Sequence, residues 1–178
     1  MALNPKILEE GLIRMSDNAA ANASVTYADF VTAVEQYAYG LQYPPPVGVA
    51  AAAGLLKNLL NTIPTNPPLP IAAPIMKAAL QLFAVGVAMG KPINGTPAPI
   101  NPSPGVGSGV FPTIPPPGQP AIDSILAQPN DKKVLAAKLA NAIHAWFITG
   151  QYDGLGFVAP GPGTPPPPLP TPGPTPWM

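Results

Sequence analysis

The chain has 178 residues, eight basic and eight acidic side chains, and no cysteine, which is room for one ordinary domain with appendages. Zero net charge without a basic cluster excludes an electrostatic footprint for nucleic acid, and the missing thiols exclude disulfides, thiolate metal sites and thiol catalysis. Thirty prolines and seventeen glycines accompany 47% hydrophobic and only 9% charged residues; disordered chains show the reverse balance, so the composition predicts a core with arms.

In chain order, Asn4-Pro5 reads as a helix start, an N-cap followed by proline at the first helical position. Ile7, Leu8, Leu12 and Met15 line one side of a helix ending near Ser16 to Asn18. Lys6, Glu9, Glu10 and Arg14 interrupt the apolar run that a signal peptide needs; Asn22-Ala-Ser and Asn94-Gly-Thr are then chance matches to the glycosylation pattern. For the second helix, Thr26 and Asp29 have capping-box spacing, and Phe30, Val34, Tyr37 and Leu41 follow at helical steps. The third helix, roughly Val47 to Thr62, carries Leu55, Leu56, Leu59, Leu60 and Ile63, a stripe broad enough for a central position.

After a proline-dense connector, a fourth helix beginning at Ala72 to Pro74 presents Ile75, Leu82, Val85 and Met89, with small residues such as Gly86 that allow another backbone close. Pro74 and Lys77 interrupt the apolar stretch Ile71 to Gly90, so it reads as a buried helix and no membrane is expected. From Lys91 to Pro120 ten of thirty residues are proline. Asn94-Gly95 suits a type I′ turn there, and Val106, Val110, Phe111 and Ile114 are apolar anchors of an arm laid on a surface or of a functional insertion. A short helix follows over Pro120 to Gln128, with Ile122, Ile125 and Leu126 inward. Asp131 then caps a last helix bearing Leu135, Leu139, Ala142 and Trp146.

Three helical ends share one plan: Gln36-Tyr-Ala-Tyr-Gly40, Leu82-Phe-Ala-Val-Gly86 and Trp146-Phe-Ile-Thr-Gly150, each an aromatic, then glycine, then extended chain. The last leads into a tail in which ten of the seventeen residues from Pro160 to Pro176 are proline. Without N–H donors and with φ locked, such a tail is polyproline II or irregular and is expected to reach outward, about 50 Å at 3.1 Å per residue. Pro165, Pro167, Leu169 and Pro170 have PxxP spacing, and Trp177 is a large aromatic that must dock somewhere. These five residues, with Phe111 and Ile114, are the expected partner-binding positions.

Catalytic chemistry finds little purchase in the sequence. His144, the single histidine, lies between Ile143 and Ala145 and reads as structural. The eight carboxylates are scattered, and Gly105-Val-Gly-Ser-Gly109 lacks the spacing, lysine and flanking elements of a phosphate loop. No catalytic, cofactor or metal site is expected, and no small-molecule substrate.

The Ala-rich helix Val134 to Ile143 ending in Ile148-Thr-Gly150, the Gly/Pro-rich sequence after it, and the arm after Phe83 to Gly90 resemble small virion structural proteins of tailed bacteriophages. The resemblance implies a role at a capsid, neck, tail or baseplate interface, in a virion assembled in the host cytoplasm, with other virion proteins and copies of itself as partners. The expected fold is mainly α: a small helical bundle core over 1–90, an extended arm over 91–120, helices completing the core over 121–150, and a proline-rich extended tail over 151–178. The expected function is non-enzymatic joining of neighbouring subunits. The alternative is a cytoplasmic adaptor whose tail binds an aromatic-lined groove. On the first reading, removing Pro160 to Met178 should leave a folded, soluble helical core but abolish incorporation into the assembly.

Overall fold

A computed structural model describes residues 3–17, 23–41, 48–64, 69–88, 93–95, 107–109, 113–128, 131–152 and 175–177. The fold is mainly α, with helices α1 (Pro5–Asp17), α2 (Ala23–Ala38), α3 (Val49–Leu60), α4 (Leu69–Ala88), α5 (Asp123–Leu126) and α6 (Lys132–Phe147). Five strands of two or three residues accompany them: β1 (Ile93–Gly95), β2 (Gly107–Gly109), β3 (Thr113–Ile114), β4 (Gln151–Tyr152) and β5 (Thr175–Pro176).

Helix starts follow local chemistry where a side chain can reach the free backbone donors. Asn4 Oδ1 accepts from the Lys6 amide at 3.0 Å, and Asp131 Oδ1 from the Lys133 amide at 2.9 Å. The second helix departs from expectation: it begins at Ala23, so Thr26 lies inside it rather than capping it. α4 begins at Leu69 and runs through Pro74. Pro74 is exposed and sits in the second turn, so the hydrogen bond its ring removes is lost on the solvent side.

α1 packs between α2 and α6, while α3 packs on α4 and more lightly on α2. Close approach depends on small residues. A Cβ at Gly11 would overlap the Ala33 methyl of α2, and one at Gly86 would come within 2.8 Å of the Ala52 methyl of α3. Leu8, Phe30, Tyr37, Leu56, Leu60, Leu80, Phe83 and Phe147 fill the core. Of the residues expected inward, Leu56, Leu60 and Ile63 are buried, whereas Leu55 and Leu82 are 51% and 47% exposed; Ala52 of α3 and Leu80, Phe83 and Val87 of α4 face the core as well. By length and composition Pro70–Ala88 is apolar enough to cross a membrane, with a mean hydropathy of 1.7 and 39% of it buried within the protein. Ion pairs among the described residues at the periphery include Lys77 to Asp123 at 2.5 Å and Lys132 to Asp17; both have at least one exposed partner and are worth little individually.

β1 and β2 pair antiparallel, Asn94 opposite Ser108. Asn94-Gly95 therefore lies in a ladder, not in a type I′ turn, and Gly107–Gly109 is its partner strand. β3, β4 and β5 form a second antiparallel sheet with β4 in the middle, Ile114 and Pro176 both opposite Gln151.

Candidate functional site

The end of α6 is the point on which the sheet β3-β4-β5 and the chain terminus converge. The Thr149 amide and hydroxyl both reach the Trp146 carbonyl, at 3.0 and 2.6 Å, and the Gly150 amide donates to the Phe147 carbonyl at 3.2 Å. This closes the last helical turn and hands the chain directly to β4. The Gly150 carbonyl then accepts the Trp177 amide at 2.9 Å. Trp177 is 1% exposed, and its ring meets Phe147 edge-on at a 4.9 Å centroid separation.

Gly150 is the seat of that indole: a Cβ there would stand 2.5 Å from two ring atoms. Phe147 is the hub beneath it, in contact with the rings of Tyr37 at 5.5 Å, Phe83 at 6.2 Å and Trp146 at 6.2 Å. Tyr37, Phe83 and Phe147 are the aromatics standing three residues before Gly40, Gly86 and Gly150. The echo visible in the sequence thus marks three rings that meet in space.

The strand register also explains the proline in β5. Gly150 and Trp177 share a hydrogen bond, so Gln151 and Pro176 form the next, non-hydrogen-bonded pair. Pro176 sits on an edge strand where no donor is required of it.

On the other flank the chain from β3 to α5 lies against the core as a strap. Pro116, Pro120 and Ile122 are buried, the Trp146 indole N–H donates to the Pro117 carbonyl at 3.2 Å, and Gln119 donates to Gln81 at 3.0 Å. Pro-Pro-Gly-Gln over 116–119 has the sequence of a type II turn, and Gly118 supplies the required positive φ of 65°.

Of the expected partner-binding residues, Ile114 is 53% exposed on β3. Trp177 is enclosed by its own chain. Phe111, Pro165, Pro167, Leu169 and Pro170 lie outside the described residues. The pairing of β4 with β5 corrects the picture of a tail that leaves and ends far away, because residues 153–174 depart from and return to adjacent strands. Removing Pro160 to Met178 would also take a buried tryptophan out of the core. Sequence reasoning missed Gly150 as a seat; the available signal was a lone tryptophan beside the terminus and a glycine directly after an aromatic helix end.

His144 is engaged with the core. The Tyr37 hydroxyl and its Nδ1 share a hydrogen bond of 2.6 Å, and burial holds the imidazole below its ordinary pKa while raising that of the Tyr37 phenol. The folded protein therefore resists a proton that the unfolded chain accepts near pH 6.5, so this contribution is complete above that pH and is lost as pH falls toward the lower folded value. The expected result is a melting temperature that drops more between pH 7 and pH 5 in the native protein than in His144→Gln. Thermal scans of both proteins across that window check it; equal slopes would refute the assignment.

Among the described residues no three of His, Asp and Glu are grouped to hold a metal ion. A groove of about 240 Å³ between α2 and α3 has Glu35 and Lys57 as its charged members, and Glu35 also accepts from the Tyr39 hydroxyl. Comparison with protein-family models, with curated proteins and with solved structures returns no match.

Proposed function

We propose that this chain is a non-enzymatic virion structural protein, of the kind found in tailed bacteriophages, that joins neighbouring subunits through its two proline-rich segments. The observation that supports this reading most directly is where those segments are rooted. The mid-chain segment rejoins the core at β3, and the C-terminal segment leaves at β4 and returns at β5, three adjacent strands at the end of α6. The roots of both segments, Thr113, Tyr152 and Thr175, therefore lie side by side, which suits a neighbour that engages both. Extended chain buries much surface per residue, and proline lowers the ordering cost by restricting the free state.

The test separates the segment from its anchors. Excision of 158–172, with Gln151–Tyr152 and Thr175–Trp177 retained, is expected to leave helicity and melting temperature close to native and to abolish incorporation into particles, read by mass spectrometry of purified virions. Native-level incorporation of the shortened chain would overturn the proposal. The adaptor alternative expects instead that a synthetic peptide spanning the prolines binds a discrete partner domain by itself.

A further inference from the structure

Among the described residues, three hold the last segment of the chain to the core. Thr175 and Pro176 pair with Tyr152 and Gln151, and Trp177 gives its amide to the Gly150 carbonyl and its ring to Gly150 and Phe147. They follow a 22-residue connection, 153–174, that contains nine prolines and five glycines. None of these contacts depends on which copy of the chain supplies the three residues.

We propose that Thr175–Trp177 is an exchangeable latch, which docks in its own Gly150–Phe147 seat in dilute chains and in the seat of a second copy when chains are held close together. The inference deepens the proposed function by naming the partner as another copy of this chain, and rests on that reading only for where crowding occurs. Docking in cis and in trans forms the same strand pair and the same buried ring, so the balance is set by loop closure against local concentration. Four consecutive prolines, 165–168, favour an extended path of about 12 Å, and the whole connection could extend about 70 Å. Bringing its ends onto neighbouring strands opposes that preference; spanning to an adjacent copy does not. A short flexible linker gives an effective concentration on the order of mM, stiffness that disfavours closure lowers it, and side-by-side packing in an assembly exceeds it. The latch is also incompletely satisfied. The Trp177 indole N–H is buried without a hydrogen-bond partner, an unmet desolvation cost that favours release and redocking.

The chain has no cysteine, so a pair of engineered thiols reports the docking without background. Gln151 and Pro176 are exposed and directly opposite, in a pair type whose Cα separation of about 4.5 Å accommodates a disulfide. A Q151C chain and a P176C chain are mixed at rising concentration and oxidised, and the linkages are mapped by peptide mass spectrometry, with circular dichroism confirming native helicity of each variant. The expected result is a 151–176 link between chains that is scarce at micromolar concentration, dominant in the millimolar range, and lost when the P176C chain also carries W177A. The doubly substituted Q151C/P176C chain should close within one molecule when dilute. Absence of the interchain link at every concentration, while the doubly substituted chain closes fully, would overturn the exchange; so would failure of the dilute doubly substituted chain to close. Particles that incorporate the protein without interchain 151–176 links would sink the exchange alone, whereas exclusion from particles would sink the proposed function and leave exchange in solution standing.

Discussion

Trp177→Ala is expected to destabilise the fold by about 2–3 kcal/mol, somewhat below the roughly 3–5 kcal/mol typical of a buried aromatic cut to alanine. The reduction has a structural cause. A tryptophan within a helix leaves a cavity behind, but one directly after a two-residue edge strand can carry that strand away, so the loss is capped by the docking free energy of Thr175–Trp177. What remains is exposure of Phe147, the hub of four ring contacts, which still removes a large part of a total stability of about 5–15 kcal/mol. For a chain of this size the melting temperature should fall by about 5–10 °C. An unchanged melting temperature would show that the indole is not seated in the core.

Gly150→Ala should reproduce most of that loss by the opposite route. Positive φ is confined to Gly118 among the described glycines, so alanine at 150 meets no backbone strain, and the three nearest atoms to its methyl all belong to the Trp177 indole, two of them at 2.5 Å. Without Trp177 those nearest obstacles are gone. The double variant is therefore expected to be no less stable than Trp177→Ala alone, a coupling of about 2 kcal/mol in a double-mutant cycle. Simple additivity would refute the contact.

Features written in adjacent residues were legible in the sequence. Asn4-Pro5 and Asp131 announce their helices because a cap is satisfied within three residues, and Asp131 Oδ1 does accept the Lys133 amide. Helical faces were legible only where polar residues define them. α3 and α4 are apolar nearly all round, so periodicity offers several overlapping stripes, and packing against Gly86 and Ala52 selects the one that turns Leu55 and Leu82 outward. Local signals also lose to pairing: Asn94-Gly95 has the chemistry of a turn but lies opposite Gly107 and Ser108. The seat of Trp177 was illegible in detail because its contacts span the 22 intervening residues, where no local pattern operates. The glycine-aromatic echo came nearest, since it named three of the rings that converge there.

Gly11→Ala is expected to cost about 2 kcal/mol even though alanine is the better helix former by about 1 kcal/mol. Gly11 is buried where α1 crosses α2; an added Cβ would overlap the Ala33 methyl and lie 3.4 Å from the Asp29 carbonyl oxygen. Neither obstacle is the free end of a flexible side chain, so the two backbones must separate, and overpacking of this kind typically costs about 1–3 kcal/mol or more. The strain would spread, because α1 also packs on α6, whose end carries the Gly150 seat. Moving the methyl across the crossing tests the mechanism: Gly11→Ala with Ala33→Gly restores the local volume, exchanges one helical glycine for another, and should return stability to within about 0.5 kcal/mol of native. Gly54→Ala supplies the opposite sign. Gly54 is exposed on α3 with no atom within 4 Å of its would-be Cβ, so the same change there should stabilise by about 0.5–1 kcal/mol. Denaturant titrations of the three variants decide the matter, and a destabilising Gly54→Ala beside a harmless Gly11→Ala would reverse the assignment of which helix face is packed.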